Sequence, residues 1–526
     1  MEETARANWD VIVVGGALSG AATACLLLRR NPKLRVLILD RSEKFKRRVG
    51  ESTVEISAFF LGKVLGLTEH LLQEHLVKQG MRFHFMNTQT RAIDQCSETG
   101  PAYNVRLPGY QVDRAVLDEH VLALAVHEGA GLIRGVRVRG VQLVSAGRQI
   151  VEWEDAAGAR RTFGARWVVD ASGVAALLAR QESWLQPNTE HPTATCWSRW
   201  SNVRSWDDRE LAAKYPAWAS RTRATRTTAT NHLVGLGWWA WWIPLKGGDV
   251  SIGITYDQRL IELPEGPDLA TRLRTLLMTH PAARELMPDA TCRESDVHFR
   301  RNLAYSSTTI ATDGAVLVGD AAGFIDPFYS PGMDWIAFTA SAAVALIDDG
   351  FRGKPLGSRV ARHNQNFALS YERWFRALYR DKYYYLGDHE LMTLAFRLDL
   401  GLYYYGVVAR TFRGGARTLE TPPFAHSDSL WPFRTMDLYN RRLVSIARSR
   451  IKRGTWGRKN ALHNVRFISY EFNRRLPLRI AGLLMAWVGL ELREGWRSWF
   501  AAAYSEPVES ARLPAVPSAA KAALKA

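Results

Sequence analysis

Hydrophobic and polar positions near the start of the chain follow two kinds of pattern. Residues 10–16 and 35–40 are nearly continuous apolar runs that end in glycine or aspartate, as expected of parallel strands buried on both faces. Residues 21–30, which lie between them, have the spacing of a helix. The pattern therefore predicts a strand–helix–strand unit of about 30 residues at the beginning of the fold.

The later pattern divides the rest of the chain into further regions. Strands dominate from about residue 90 to 165, and short strands rich in tryptophan follow from about 185 to 305. Another buried strand, residues 315–320, leads back to the first unit, and long helical patterns begin near residue 360. We predict an α/β fold with five regions: a nucleotide-binding domain, first part (1–185); an inserted, mainly β substrate domain (186–305); a return segment (306–355); a helical C-terminal region (356–505); and a disordered tail (506–526).

Composition and charge narrow the classes of partner. The chain has 526 residues, 47% of them hydrophobic, and is long enough for two or three domains. A net charge of +17 favours anionic partners such as lipid, an acidic carrier protein or a phosphorylated cofactor. We expect no nucleic-acid partner, because the chain has no zinc-ligand spacing, RNA-binding motif or recognition-helix pattern.

The cysteines and the apolar runs indicate the compartment. Cys25, Cys96, Cys196 and Cys292 are far apart and lack C-x-x-C spacing, so we expect no metal site, no disulfide framework and a reducing cytoplasm. The longest apolar run, residues 480–490, is shorter than the roughly 20 residues that a membrane span needs. We therefore expect a cytoplasmic protein that is soluble or peripheral to the membrane.

A glycine-rich turn follows the first predicted strand. Gly15, Gly16 and Gly20 let the backbone approach a pyrophosphate at the beginning of a helix, with Ala17 at the central glycine position of the motif. Asp40 ends the second strand, where a carboxylate can accept hydrogen bonds from ribose hydroxyls. The unit is therefore predicted to bind a dinucleotide.

Two later segments identify the dinucleotide. The segment at Asp320 and the segment at Asp170 resemble parts of the FAD site in enzymes similar to p-hydroxybenzoate hydroxylase. This resemblance implies FAD as cofactor and a Rossmann-like FAD-binding domain. No second glycine fingerprint for NAD(P) is present, so the reduced form, FADH2, is expected to come from a separate flavin reductase.

Four segments give the chain a narrower resemblance over about its first 340 residues. They are residues 15–20, residues 50–53, residues 77–80 with Phe83, and residues 239–244, which read W-x-W-x-I-P. On these segments the chain resembles the flavin-dependent halogenases, a tryptophan-halogenase-like family, and within it the phenol-type branch. The resemblance implies that reduced FAD, O2 and halide give hypohalous acid. Lys78 then directs this oxidant to an electron-rich aromatic ring.

The resemblance assigns roles to individual residues. The implied catalytic residues are Lys78 and Ser330. The implied cofactor-binding residues are Gly15, Gly16, Ala17, Gly20, Asp40, Arg41, Glu51, Ser52, Thr53, Arg114, Asp320 and Gly332. Trp239, Trp241, Ile243 and Pro244 are expected to form a barrier between flavin and substrate. The alternation of this segment also predicts an ordinary core strand, and both interpretations can hold at once.

One segment departs from the family pattern. The family has Ser or Thr before a glycine after its Asp-Pro element, and backbone N–H groups there help to hold the halide. This chain has Pro331, which has no N–H, so Ser330 and Gly332 are left as donors. Tyr329 stands where tryptophan halogenases have a glutamate, which favours a phenol-type substrate. The alternative hypotheses are an FAD monooxygenase without halide use, and a flavin-binding or membrane-peripheral protein without turnover.

The end of the helical region combines basic and aromatic residues. They are Arg474, Arg475, Arg479, Arg493, Trp496, Arg497, Trp499 and Phe500. This pattern is consistent with a surface that lies on an anionic membrane, with an acidic acyl-carrier partner that presents a tethered substrate, or with a helix packed on the FAD domain. The sequence does not choose between these interpretations. The other expected partners are the flavin reductase, a small aromatic substrate and halide.

Overall fold

The computed structural model describes residues 8–107, 109–145, 147–468 and 474–499. The predicted disordered tail (506–526) and Phe500 lie outside these residues. The strands in chain order are β1 (Asn8–Val14), β2 (Val36–Asp40), β3 (Leu76–Lys78), β4 (Met81–Phe85), β5 (Ser97–Pro101), β6 (Gly109–Gln111), β7 (Gly131–Arg134), β8 (Arg137–Gln142), β9 (Gln149–Glu154), β10 (Arg160–Asp170), β11 (Leu185–Pro187), β12 (Thr193–Ser201), β13 (Thr230–Gly235), β14 (Trp238–Pro244), β15 (Val250–Asp257), β16 (Thr291–Cys292), β17 (His298–Arg301), β18 (Tyr305–Ser307), β19 (Ala315–Leu317), β20 (Gly323–Phe324) and β21 (Asn464–Phe467).

The helices are concentrated at the beginning and in the last third of the chain. They are α1 (Leu18–Arg30), α2 (Glu55–Phe59), α3 (Thr68–Glu74), α4 (Arg114–His127), α5 (Leu177–Gln181), α6 (Arg209–Lys214), α7 (Pro216–Ala219), α8 (Leu269–Leu277), α9 (Pro281–Leu286), α10 (Gly332–Phe351), α11 (Gly357–Trp374), α12 (His389–Tyr403), α13 (Ala409–Gly414), α14 (Leu430–Lys452) and α15 (Leu476–Arg493). A π-helical turn, Tyr404–Val408, continues α12.

The first sheet has a parallel core in the order β7-β2-β1-β10-β19. Its central strand β1 is fully buried at Val11, Ile12 and Val13, as the continuous apolar run predicts for a strand covered on both faces. Strands β8 and β9 extend this sheet in antiparallel fashion from β10. Helices α1, α4 and α10 pack together beside this sheet. This is the predicted Rossmann-like arrangement, and the predicted return segment supplies β19 and α10.

The second sheet is larger and mostly antiparallel. Its order is β16-β12-β15-β14-β13-β4-β5-β21, and β17 also pairs with β12. The tryptophan strand β14 lies inside it, between β13 and β15. Strands β4, β5 and β21 come from residues 81–101 and 464–467, so this sheet draws on segments outside the 186–305 region.

Helices α11 to α15 form the C-terminal region, and buried charges connect them. The fully buried guanidinium of Arg450 in α14 pairs with Asp388 at the N-terminus of α12 at 2.8 Å and with Glu494 at 2.6 Å, and it also pairs with Glu390. Breaking such a network would leave charges buried without a partner, which costs about 3–5 kcal/mol. Within the described ranges, the search for a helix long and apolar enough to cross a membrane found none.

Candidate active site

The glycine turn between β1 and α1 is too tight for side chains. A Cβ on Gly15, whose φ is +103°, would lie 2.5 Å from the carbonyl oxygen of Ala171, and one on Gly20 would lie 1.8 Å from that of Gly15. Ala17, the residue before α1, caps the helix with no side-chain hydrogen bond. The first N–H groups of α1 therefore remain available for an anion such as a pyrophosphate.

Asp40 stabilises this turn at the end of β2. Its Oδ2 accepts a hydrogen bond from the N–H of Gly16 at 2.7 Å, and its Oδ1 accepts one from the N–H of Ser42 at 2.7 Å. The carboxylate therefore lies beside the glycine turn, where sequence analysis placed it for binding ribose. Arg41, the next residue, is exposed.

Asp320 and Arg114 face each other near the return segment. Burial raises the pKa of the Asp320 carboxyl, while Arg114 acts in the opposite direction. Arg114 donates to Asp118 at 2.9 Å and, more weakly, to the carbonyl of Gly50 at 3.4 Å. Within the described residues, the Asp320 carboxylate accepts no hydrogen bond, so it is free to accept one from a ribityl hydroxyl.

The turn before α10 has an unusual backbone. Tyr329 and Ser330 adopt φ values of 68° and 57°, a left-handed conformation that is strained for residues with a Cβ. The N–H of Ser330 donates to the carbonyl of Pro327 at 2.9 Å, and Pro331 has no N–H. Of the donors expected for a halide here, the Ser330 N–H is thus already occupied, while that of Gly332 begins the helix without an intrahelical partner.

These features fit FAD. Both α1 and α10 begin without a side-chain cap, so each presents N–H groups and the positive end of a helix dipole. The glycine turn and Asp320 supply the close backbone approach and the unpaired acceptor that a dinucleotide requires. Asp40 of β2 is hydrogen-bonded to the glycine turn, and Gly319 of the return segment lies against Ser19 of α1, so these three segments meet at the carboxyl ends of the parallel strands.

Lys78, at the end of β3, is only 3% exposed. Its Nζ donates to the Ser52 hydroxyl at 2.9 Å and to the Thr53 carbonyl at 2.8 Å. Burial lowers the pKa of the amine to about 8, and the nearby Glu55 and Asp334 oppose this shift. An ammonium has three donors, so one remains for a ligand. The structure therefore joins Lys78 to the predicted Ser52 and Thr53 loop.

Lys78 lines a pocket with about 740 Å³ of empty space, part of it open to solvent. The pocket is a candidate binding site for a small ligand. Most of the lining is apolar or aromatic, and much of it comes from the C-terminal region: Phe396, Leu400, Tyr403, Tyr404, Val408 and Phe467. None of these six residues was predicted from the sequence, because apolar and aromatic residues in helices and strands form no site motif.

A second pocket, with about 440 Å³ of empty space, lies against the first. The two share five lining residues: Val54, Glu55, Met81, Leu400 and Tyr403. The second pocket, but not the first, is also lined by Tyr329, Pro331 and Asp334. The strained turn and Lys78 thus lie on opposite sides of one wall, which is formed by the five shared residues.

Asp334, in the first turn of α10, is a site residue that the sequence analysis did not identify. It is fully buried; its Oδ2 accepts from the Tyr403 hydroxyl at 2.5 Å and its Oδ1 accepts from the N–H of Ser57 at 2.8 Å. Burial raises the pKa of this carboxyl to about 7, although both hydrogen bonds favour the ionised form. An acid within the otherwise apolar start of α10 was the signal in the sequence.

Glu51, one of the predicted cofactor-binding residues, forms a buried ion pair with Arg199. Its carboxylate accepts hydrogen bonds from Arg199 of β12 at 2.7 and 3.0 Å, and Arg199 also pairs with Asp113 at 2.8 Å. Burial raises the pKa of Glu51 to about 7, with Arg199 acting against this rise. In this structure the carboxylate of Glu51 connects the loop to the large sheet.

The tryptophan segment is a buried strand. Trp239, Trp241 and Ile243 occupy alternate positions of β14, and Pro244 at its end is half-buried. The indole of Trp239 packs at 5.0 Å on the ring of Phe328 and donates to the hydroxyl of Tyr383 at 2.9 Å. None of the barrier residues belongs to the described lining of the two pockets. The side chain of Trp239 therefore contacts Phe328 and Tyr383 instead of lining either pocket.

Tyr383 extends this contact to a second buried acid. Its hydroxyl donates to Asp326 at 2.9 Å, and His191 lies 2.8 Å from the same carboxylate oxygen. Asp326 also accepts from the N–H of Phe328 at 2.8 Å and so stabilises the segment before the strained turn. Sequence analysis singled out neither Tyr383 nor His191, because isolated aromatic residues carry no spacing signal.

Comparison with known sequences assigns the chain to a family. The family model described as tryptophan halogenase matches residues 88–385, more than half of the chain, and the chain belongs to this family. A flavin-dependent halogenase (chlA) of Dictyostelium discoideum is 29% identical over 65% of this chain and 60% of its own length. The sulochrin halogenase gedL of Aspergillus terreus is 25% identical over 69% of this chain and 67% of its own length. The chain thus spans about 60% of the length of the first relative.

Solved structures show the same fold. Halogenase PltM in complex with phloroglucinol and FAD has a TM-score of 0.73 at 18% identity, covering 91% of this chain and 96% of PltM. The flavin-dependent brominase Bmp2, as a triple mutant, has a TM-score of 0.62 at 17% identity, covering 82% of this chain and 100% of Bmp2. The predicted family, α/β fold class and FAD cofactor are confirmed.

Proposed function

We propose that this family member halogenates electron-rich, phenol-type aromatic rings, with reduced FAD, O2 and halide as co-reactants. When bound, FADH2 would supply two electrons to O2, so that with halide and a proton the products would be FAD, hypohalous acid and water. The observation that carries the proposal is the buried, hydrogen-bonded Lys78 in a pocket lined mostly by apolar and aromatic side chains.

Lys78 directs the halogen in this proposal. With a pKa of about 8, the amine is mostly cationic at neutral pH. Its remaining N–H donates to the oxygen of hypohalous acid and makes the halogen more electrophilic. The ring forms a bond to the halogen as the halogen–oxygen bond breaks, and the oxygen leaves as water with the proton lost from the ring.

The FAD residues have separable tasks in this proposal. Gly15, Gly16, Ala17 and Gly20 would hold the pyrophosphate at the beginning of α1. Three side chains would bind sugar hydroxyls and phosphate: Asp40, Arg41 and Asp320. Arg114, Ser52, Thr53 and Gly332 would border the ring system, while Glu51 orients their loop through Arg199.

The phenol-type substrate class rests on the pocket and on the relatives. The lining offers flat apolar and aromatic surfaces, with Lys78 and Glu55 as its charged members. PltM has been solved with phloroglucinol, and gedL is named for sulochrin. The proposed class includes both a free small ring and a ring tethered to a carrier protein. A separate flavin reductase is the proposed source of FADH2, and a reducing cytoplasm the proposed location, since all four cysteines are free.

The decisive experiment is an assay of halide-dependent product mass. Purified protein is incubated with FAD, a flavin reductase, NADH, bromide or chloride, and a panel of phenols. We expect a product with the halogen isotope pattern, absent with Lys78→Met and with halide omitted. Halogenation by folded Lys78→Met at the wild-type rate would contradict the role of Lys78. Flavin binding without any product would contradict the proposed activity.

A second candidate function is oxygenation without halide. It is favoured by the turn before α10, where Pro331 lacks an N–H and the Ser330 N–H donates to Pro327. In the same assay this function would add one oxygen atom and ignore halide. Pro331→Ser restores a donor, so it should raise the halide dependence of the product under the first proposal and leave it unchanged under the second.

The barrier role of Trp239, Trp241, Ile243 and Pro244 remains a proposal that the same assay tests. Trp239→Phe thins the face that packs on Phe328, whereas Trp242→Phe changes the opposite face of the same strand. If the segment separates flavin from substrate, Trp239→Phe should increase oxygenated by-products and Trp242→Phe should not. Equal by-products from both variants would favour the core-strand interpretation.

A further inference from the structure

The outward side of α15 is apolar along its length. Leu478, Met485 and Leu492 repeat every seven residues and are 74, 67 and 66% exposed. The inward side is buried through Leu476, Ile480, Leu483 and Leu490. A helix that is apolar on both sides has no side suited to water, so the outward stripe needs a covering partner.

Basic residues stand at both ends of this stripe. Four exposed arginines flank it, two before and two after: Arg474, Arg475, Arg493 and Arg497. Of these, Arg493 also pairs with Glu390 at 3.2 Å. The acids within residues 474–499, Glu491 and Glu494, are turned inward, where each pairs with an arginine of α14. The outward side is therefore apolar in the middle, cationic at its ends and without an exposed carboxylate.

Tryptophans complete the pattern after the last turn of α15. Trp496 and Trp499 are each 50% exposed, and the guanidinium of Arg497 lies over the Trp496 ring at 5.3 Å. Indole rings favour the boundary between hydrocarbon and water, where their apolar body and their N–H are both satisfied.

We propose that this outward face docks onto an anionic lipid bilayer. The face, called here the α15 surface, comprises Leu478, Met485, Leu492, Trp496 and Trp499. The helix lies in the plane of the interface with its leucines and methionine among the acyl chains, and the flanking arginines contact anionic headgroups. The net charge of +17 also attracts the protein to an anionic membrane over a longer range.

The arginines argue against a second copy of the chain as the occupant. Because both ends of the stripe are basic, parallel and antiparallel pairing of two α15 helices would both bring arginines against arginines. Like charges across an interface disfavour association. A lipid surface instead supplies the negative charge at both ends together with an apolar layer between them.

The α15 surface is one helix away from the Lys78 pocket. A Cβ on Gly401 of α12 would lie 3.0 Å from Ile480 of α15, while Leu400, the preceding residue, lines the pocket. An apolar aromatic compound dissolved in the bilayer would thus be held close to the pocket. This last point rests on the proposed function, whereas the docking itself does not.

Vesicle sedimentation tests the docking without any turnover. The full chain is incubated with vesicles of phosphatidylcholine plus phosphatidylglycerol, with vesicles of phosphatidylcholine alone, and with the first kind at raised salt. The test variant is Met485→Glu with Leu492→Glu. The matched control is Leu72→Glu with Val126→Glu, two exposed apolar residues of α3 and α4.

We expect wild type and the control to sediment with the anionic vesicles and less with neutral ones or at raised salt. The Met485→Glu, Leu492→Glu variant should bind about tenfold more weakly and keep its halogenation rate on a soluble phenol. Absence of wild-type binding, or equal binding of both double variants, would overturn the proposal. So would self-association of the wild type, by sedimentation velocity, that only the α15 variant abolishes, because it would identify a second copy as the occupant.

Discussion

Lys78 and Asp334 are buried ionisable groups on the two sides of one pocket wall, and burial acts on them in opposite directions. It lowers the pKa of the Lys78 amine to about 8 and raises that of the Asp334 carboxyl to about 7. Near neutral pH the amine is therefore mostly cationic, whereas the carboxyl is divided between its two forms. A low-dielectric environment disfavours whichever form carries charge. Near pH 7, Lys78 on one side of the wall therefore keeps its charge, whereas Asp334 on the other side titrates.

The partners of the two groups explain how each charge is tolerated. Two oxygen atoms, from Ser52 and Thr53, accept from the Lys78 ammonium, and neither of them is a carboxylate. Asp334 receives the Tyr403 hydroxyl and a backbone N–H, also both neutral. By contrast, Lys382, another buried lysine, forms an ion pair with Asp399 at 2.6 Å. The hydrogen bonds of Lys78 thus go to neutral acceptors, and the nearby carboxyls of Glu55 and Asp334 act on its charge only through space.

The largest expected effect comes from removing the Lys78 charge. Lys78→Met should lower halogenation by about a hundred- to a thousandfold, the loss typical of one preorganised donor. It should also raise the free energy of unfolding at pH 7 by roughly 1–3 kcal/mol, because a buried charge without a carboxylate partner is removed. Initial rates and denaturant unfolding measure the two effects.

Lys382→Met is the control for this variant. It leaves Asp399 buried without its cation, so it should destabilise the protein by about 3–5 kcal/mol. If both variants lose stability to the same extent, the distinction between a ligand-directed lysine and a structural one is wrong.

The next effect is the pH dependence of the rate. Halogenation should fall about tenfold per pH unit above pH 8, because the amine form of Lys78 has lost its donated proton. With Lys78→Arg the decline should move beyond pH 10, since a guanidinium stays protonated. The readout is the initial rate at saturating reduced flavin, and a decline at the same pH in Lys78→Arg would assign it to another group.

Asp334 should instead appear in the pH dependence of stability. Its folded-state pKa of about 7 lies above the ordinary value of 3.8, so its contribution is fully present below pH 3.8 and is lost as pH rises through 7. Asp334→Asn should remove this decline, which amounts to roughly 4 kcal/mol in unfolding free energy. Denaturant unfolding between pH 4 and 8 measures it, and parallel curves for wild type and variant would show that Asp334 does not titrate in this range.

Lys78 shows which kind of site residue a sequence can indicate. It belongs to a short segment whose spacing resembles a family motif, and its catalytic role stays a prediction. The glycine turn and β1 are local in the same sense, because consecutive residues determine them. Asp334 depends on α10, on Ser57 and on Tyr403, which lie far apart in the chain and meet only in the folded protein.

The C-terminal region shows where sequence analysis is limited. Phe396, Leu400 and Phe467 form much of the Lys78 pocket, yet as ordinary apolar residues in helices and one strand they give no motif. The same holds for Pro331, where the sequence predicts the missing N–H but cannot predict that the N–H of Ser330 bonds to Pro327. Tertiary packing determines both the lining of the pocket and the hydrogen bond of Ser330. The pattern of a single sequence indicates only local structure.

The smallest expected effect separates the two sides of the wall most directly. Tyr403 lines both pockets, but its hydroxyl donates to Asp334 and favours the ionised carboxylate. Tyr403→Phe should therefore raise the pKa of Asp334 by about one unit and leave the Lys78 limb of the rate profile in place, since one hydrogen bond contributes on the order of 1 kcal/mol. Tyr379→Phe is the matched control, because that hydroxyl donates to the carbonyl of Phe328 at 3.0 Å instead. If Tyr403→Phe also moves the Lys78 limb, the two groups titrate as one coupled pair, and the contrast between them would have to be replaced by a shared proton.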